Sequence, residues 1–191
     1  MMKFLTARLR GGRHFARDTA GVSAVEFALV APVFLLMTAG LIDLGSMLFT
    51  RFQLNSALSA GANYALINGA DLSATTAGSL AANTAAVLAG TTSSGTSVSV
   101  KINNGYTATM TGGTLSTSGA TSEADKCYCP TKSGSVVAWG SAATCGSACA
   151  NGSLAGKFVT FTASRPHTPM FSGYGFAEAG NIRVVSMAQT Q

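Results

Sequence analysis

The sequence predicts an α+β protein: a long N-terminal transmembrane and stalk helix followed by a small domain with an antiparallel sheet and disulfide-rich loops. Three observations carry that expectation. Residues 27–42 form an uncharged, largely apolar run inside a longer segment that fits a helix. After residue 96 the apolar period changes from helical spacing to strict alternation. Four cysteines, Cys127, Cys129, Cys145 and Cys149, then fall together in a stretch rich in turn residues.

Composition bounds the possibilities. The 191 residues are 47% hydrophobic but only 10% charged, against about 25% charge in an average soluble domain. The 32 Ala, 22 Gly, 21 Ser and 22 Thr make up more than half of the chain, and such small side chains bury little apolar area each. A dense catalytic core is disfavoured, and one modest domain with attachments is expected. The net charge of +5 belongs to one end: Lys3, Arg8, Arg10, Arg13 and Arg17 all precede the first acid, Asp18, and from Asp18 onward basic and acidic groups balance. The rest of the chain therefore offers no nucleic-acid surface.

In chain order, residues 1–21 read as a basic cytoplasmic leader. Phe27 to Thr50 would form a helix about 36 Å long, enough to cross a hydrocarbon core of about 30 Å with tilt. The basic arm before it keeps the N-terminus in the cytoplasm by the positive-inside rule and exports everything after Arg51. A cleaved secretory signal fits less well, because the basic and apolar regions are too long and no small-residue cleavage pattern closely follows the apolar run. Glu26 stands at the start of the span and Asp43 near its exported end. Asp43 either pairs within an assembly or reaches headgroup water. Pro32 removes a backbone hydrogen bond and is expected to kink the span.

No helix breaker follows Arg51, so the helix is expected to run as a transmembrane and stalk element over residues 22–67, about 69 Å in all. Ala57, Gly61 and Ala65 recur every four residues as a small-residue stripe suited to close helix packing, against another subunit or against the chain's own domain. Residues 68–191 then form the exported domain. Its second helix is expected over Leu72–Leu88, ending at Gly90. Val98, Val100 and Ile102 alternate with polar residues, as do Tyr106, Ala108 and Met110, with Asn103-Asn104-Gly105 as a hairpin turn. Two later strands are expected at Phe158–Ala163 and Ile182–Ala188. Helices on one face of a small antiparallel sheet is the α+β solution.

Export implies oxidised cysteines. A bridge within Cys127-Tyr128-Cys129 would close a strained small ring, so pairing between the two cysteine pairs is favoured, with Cys129–Cys145 and Cys127–Cys149 as the preferred connectivity of the three that four cysteines allow. Four-thiolate zinc binding is the alternative, but C-x-C with C-x3-C departs from paired C-x2-C spacing.

Nothing in the sequence calls for an enzyme, a cofactor or a metal. The histidines are His14 in the leader and His167, expected in a loop; no G-x-S-x-G surrounds a serine. Walker and dinucleotide-binding patterns are absent, and no small-molecule substrate is implied. The acids beyond Asp43 are Asp71, Glu123, Asp125 and Glu178.

Gly21-Val22-Ser23-Ala24-Val25-Glu26-Phe27, a glycine closing a basic leader with a glutamate five residues on in an apolar helix, resembles the prepilin peptidase site of type IV pilins and pseudopilins. The resemblance implies cleavage between Gly21 and Val22. It also implies that Glu26 and Phe27 belong to the processing and assembly motif, with Glu26 meeting the new Val22 amine of a neighbouring subunit. Such a partner would relieve the cost of a carboxylate in lipid; the simpler reading keeps Glu26 at the cytoplasmic interface.

Residues 21–66 further resemble the TadE-like family, minor pseudopilins of the tight adherence (Flp) pilus machinery. The features are Glu26-Phe27-Ala28, Pro32, Gly40-Leu41-Ile42-Asp43 and the amphipathic Gln53–Tyr64 segment ending in Ala60-Gly61-Ala62-Asn63-Tyr64-Ala65, with Asn63 where an arginine is common. The resemblance implies a pilin-like head and a single-pass protein of the bacterial inner membrane, its C-terminal domain periplasmic, involved in pilus assembly and adhesion. The partners it implies are a prepilin peptidase, the major Flp pilin, other TadE-like and TadF-like pseudopilins and inner-membrane lipid. A signal-anchored periplasmic binding module, a general type II secretion pseudopilin and an anchored hydrolase using His167 are the alternatives.

Overall fold

The computed structural model of the chain describes residues 21–133, 136–169 and 180–190. The leader arginines, Lys3, His14 and Glu178 lie outside the described residues. The fold is α+β: a long apolar helix, α1 (Val22–Asn68), and a domain combining α2 (Ala77–Thr91) with an antiparallel sheet and two disulfides. The chain divides into two compact units within α1, between Ile42 and Asp43.

The first unit holds the start of α1. Pro32 lies inside this helix without ending it, as prolines in apolar spans commonly do.

The second unit holds the rest of α1 and the sheet. Its five strands run in the order β3 (Thr114–Ser118), β2 (Thr107–Thr111), β1 (Ser97–Ile102), β6 (Phe158–His167), β7 (Gly180–Gln189), every neighbouring pair antiparallel. One face of the sheet is apolar: Val98, Val100, Ile102, Ala108, Val159, Phe161, Ala163 and Ile182 are buried there in one cluster with α1 and α2. Leu54, Ala57, Leu58, Gly61 and Ala65 form the buried stripe of α1, and Leu80, Ala81, Ala85 and Leu88 that of α2. A short hairpin of β4 (Thr131–Ser133) and β5 (Val136–Ala138) makes a second sheet.

The expected second helix starts late. Ser73 N–H donates to Thr76 Oγ1 (2.9 Å), Thr76 Oγ1 donates to Asp71 O (2.9 Å), and Asp125 Oδ1 accepts Ala74 N–H (2.8 Å). These side-chain bonds hold residues 71–76 as turns, an outcome Ser, Thr and Asp favour over helix, and α2 begins at Ala77. Leu72 is buried nonetheless, in the turn.

The Asn103-Asn104-Gly105 turn is present, with Asn103 at φ 46°. The sequence reading missed β3, which returns from β2 through Gly112-Gly113, both at positive φ, the pairing that a two-residue hairpin turn requires. It also ended β6 too early. The strand continues through Arg165-Pro166-His167 paired to β7, past the end of its pairing with β1 at Ser164. Pro166, which has no N–H to give, thus stands where β6 has β7 alone as its neighbour. His167, expected in a loop, is a strand residue.

Candidate functional site

The N-terminal motif is laid out by the helix itself. Gly21 precedes α1, Val22 is its first residue, and Glu26 follows four residues later, which puts Val22 and Glu26 one turn apart on the same face. Glu26 lies just past the first turn, where the helix dipole offers a carboxylate little. Every residue from 21 to 30 is exposed, Phe27 at 73%.

Beyond Glu26 the exposed surface is almost wholly apolar: Leu29, Val30, Val33, Phe34, Leu35, Met37 and Leu41 all face outward. Only 11% of the most apolar window of α1 is buried, and the helix is long and apolar enough to cross a membrane. At 20–33 cal/mol per Å² of apolar surface, such a helix is costly to leave in water. It fits a single-pass membrane anchor.

The small-residue stripe has a partner within its own domain. A Cβ placed on Gly61 would lie 2.6 Å from Leu88 Cδ2 of α2, so the Leu88 side chain must move to admit any larger residue here. Ala57 and Ala65 are buried beside it. Asn63 is exposed. Asp43, expected either to pair or to reach headgroup water, is 1% exposed, so it does not face water.

The cysteines form two disulfides, Cys127–Cys145 and Cys129–Cys149. Bridging between the two pairs is as expected, but the preferred Cys129–Cys145 and Cys127–Cys149 connectivity is wrong. A nested pairing would need a simple antiparallel return of the chain. Instead, Ala143 N–H donates to Cys127 O (2.8 Å), a turn closed by Ser147 N–H on Thr144 O (3.0 Å) follows, and Cys149 N–H bonds to Ser153 O (2.8 Å). The turn leaves Cys145 opposite Cys127 and carries Cys149 on to Cys129. Cys127 and Cys129 project to one side of an extended segment; Tyr128, between them, pairs its backbone with Gly156 and sends its ring the other way.

That ring joins Trp139 and Phe158 in a second small core, packed edge-to-face with centroids 5.8 and 6.4 Å apart. Tyr128 OH donates to Glu123 Oε2, and Lys126 Nζ to Glu123 Oε1 at 2.8 Å. Burial, then the hydrogen bond to Glu123 and its charge, push the Tyr128 hydroxyl up to about 12. The hydrogen bonds from Lys126 and Tyr128 hold Glu123 below the ordinary carboxylate value.

Sequence reasoning missed the second face of the sheet. Outward positions on β1, β2, β3 and β6 as far as Ser164 are Ser or Thr, except Lys101 and Phe158, which packs against Trp139. Their hydroxyls bond across strands, Ser97 Oγ with Thr111 Oγ1 at 2.8 Å and Thr109 Oγ1 to Ser99 Oγ at 3.2 Å. The disulfide-braced segment raises Val137 and Trp139 along one side of this floor, leaving a groove of about 210 Å³ that Lys101 and Arg183 also line. The signal was legible in Thr107-Ala-Thr109-Met-Thr111 and Thr160-Phe-Thr162-Ala-Ser164, whose alternation marks the strands and whose hydroxyl residues share one face. His167 has a buried Nε2 without a hydrogen-bond partner among the described residues, so no carboxylate or hydroxyl is seen orienting it.

Residues 21–63 match the family model described as TadE-like protein. All but Gly21 of that match lies in α1. No curated protein and no solved structure matches the chain significantly.

Proposed function

We propose that this chain, whose residues 21–63 match the TadE-like family, is a minor pseudopilin. In this reading it is a structural component anchored in the bacterial inner membrane that acts in assembly of a tight adherence (Flp) pilus. The observation that carries the reading is the conjunction at α1: a helix beginning at Val22, Glu26 one turn later as the one charge before Asp43, and an exposed apolar surface between them. The leader keeps residues 1–21 in the cytoplasm. A prepilin peptidase cuts between Gly21 and Val22 and frees an amine on the face that carries Glu26. In a bundle of pilin helices, the Glu26 carboxylate of one subunit offsets the Val22 amine of the next, which relieves two charges that lipid alone would leave exposed.

The domain after Arg51 faces the periplasm, where its disulfides persist. Since Gly61 lies against Leu88 of α2, and Ala57 and Ala65 are buried in the core of the chain's own domain, assembly contacts fall to the earlier, uncovered part of the helix. The protein supplies no energy and carries out no chemistry; a prepilin peptidase, the major Flp pilin and sibling TadE-like and TadF-like subunits are its partners.

The test is made in cells that assemble the pilus. Deletion of the gene abolishes or strongly reduces surface pili, wild-type protein restores them, and Glu26→Ala does not, although it accumulates in the membrane to wild-type level. Full restoration by Glu26→Ala would remove the assembly role given to that carboxylate. Normal piliation in the deletion strain would remove the function.

A further inference from the structure

The groove on the outward face of the sheet has the marks of a binding site, and its chemistry is specific. The floor is a set of hydroxyls, with Ser99, Thr160 and Thr162 at its centre on the adjacent strands β1 and β6. Thr160 is 8% exposed, and its Oγ1 is buried with no hydrogen-bond partner among the described residues. A buried hydroxyl without a partner costs about 1–3 kcal/mol, so this atom is better satisfied by something entering the groove. Lys101 and Arg183 flank the floor. Neither forms an ion pair with a described acid, and no strand of the sheet contains an acidic residue. Among the described residues Lys101 Nζ makes one neutral hydrogen bond, donating to Asn104 Oδ1 at 3.2 Å. Trp139 supplies an aromatic wall, fixed by its ring contacts to Tyr128 and Phe158.

We infer that this groove binds an acidic polysaccharide, a glycan chain whose sugars carry carboxylates. Sugar hydroxyls both donate and accept, which matches a floor of Ser and Thr, while the apolar surface of Val137, Trp139 and Val185 along its sides offers a sugar ring a face to lie against. Two cations on a face without acids select a carboxylated sugar over a neutral one. The pair is too sparse for a nucleic-acid backbone, which calls for a run of cations. The groove lies on an open sheet face, so a polymer can continue past the site. The disulfide-braced segment thereby gains a role beyond stability: it holds Trp139 and Val137 as one wall. The inference is independent of leader processing and of entry into a fibre.

The test uses the full chain purified in detergent, with a hexagalacturonate oligosaccharide as the probe and maltohexaose as its neutral counterpart, followed by calorimetry at two salt concentrations. Hexagalacturonate is expected to bind at least about tenfold more tightly than maltohexaose and to weaken as salt rises. Arg183→Gln, removing one charge-assisted contact, weakens binding about tenfold. Thr160→Val, close to isosteric, weakens it about threefold while the melting temperature stays level or rises, since a hydroxyl unpartnered in the free protein has been removed. Arg165→Gln removes an equal charge at a β6 position of opposite parity, across from buried Ile182, and leaves binding unchanged. Absence of hexagalacturonate binding by the folded chain overturns the inference, as does equal affinity for maltohexaose. Equal losses in Arg165→Gln and Arg183→Gln would also overturn it, by reducing the effect to net charge.

Discussion

Asn103 and Phe158 exchange two hydrogen bonds: the Asn103 N–H donates to Phe158 O, and the Asn103 Oδ1 accepts the Phe158 N–H, both at 2.8 Å. The Asn103 Nδ2 meanwhile donates to Glu123 O (2.8 Å) and Lys126 O (2.9 Å). One fully buried side chain thus ties the β1–β2 turn to the 3-10 helix Thr121–Asp125 and to the start of β6. Asn103→Ala leaves the buried Phe158 N–H without its acceptor and takes a donor from Glu123 O and Lys126 O, of which Glu123 O keeps the Lys126 N–H; it is expected to cost about 2 kcal/mol or more. Asn103→Gly loses the same bonds but tolerates φ 46°, and should be the milder change by about 1 kcal/mol. Denaturant unfolding of the detergent-purified chain measures both. Equal stability of Asn103→Ala and wild type would show that the clamp carries no weight.

The contact of Gly61 with Leu88 predicts a compensating pair. Gly61→Val forces side-chain atoms into Leu88 and should destabilise by about 2–3 kcal/mol, and Leu88→Ala by about 2–5 kcal/mol through its cavity. The double variant should recover about 1 kcal/mol or more of the summed loss, the coupling expected of residues in contact. Strict additivity in a double-mutant cycle would mean that the two helices do not meet there.

Non-reducing peptide mapping should find Cys127 joined to Cys145 and Cys129 to Cys149. Each bridge closes a loop of 18 or 20 residues, a size for which about 3 kcal/mol of stabilisation is usual. Reduction should therefore lower the melting temperature of the domain; a map showing Cys127 with Cys149 would contradict the fold of this segment.

The Glu123–Tyr128 pair predicts losses at both ends of the pH range. The Tyr128 hydroxyl sits at about 12 in the folded chain against 10.0 for a free tyrosine, so its contribution is complete below about 10 and falls away as pH rises through about 12. The carboxyl of Glu123 is held below its ordinary 4.5, so its contribution is present above that value and is lost as pH falls through the lower folded-state value. Tyrosinate absorbance should show one tyrosine titrating well above ordinary tyrosine. Tyr128→Phe should abolish that step and shift the acid loss toward higher pH.

Much of this architecture is written locally in the chain. The span, the stalk and the β1–β2 hairpin follow from unbroken apolar periods and from Asn103-Asn104-Gly105, because each is decided by near neighbours in sequence. The start of α2 depended in part on Asp125 reaching Ala74 from 51 residues away, and the disulfide connectivity on a turn that redirects the chain between Ala143 and Cys149; neither of these contacts is encoded by a short-range pattern, although the Ser, Thr and Asp of residues 71–76 were a local hint. The Gly112-Gly113 turn was legible and was passed over, since the strand after it, Thr114–Ser118, is exposed throughout and has no apolar alternation to announce it. The covered stripe at Gly61 was ambiguous for a related reason: small residues specify closeness of approach without naming what approaches.

The central claim is that the helix beginning at Val22 is a processed assembly helix. It is tested most directly by the N-terminal sequence and intact mass of the protein recovered from cells with an active prepilin peptidase. The account predicts a chain beginning at Val22, with seven basic and six acidic groups and a net charge of +1, and accumulation of the uncut form when the peptidase is inactivated. A membrane-bound protein that still begins at Met1 in the presence of the active peptidase would contradict it.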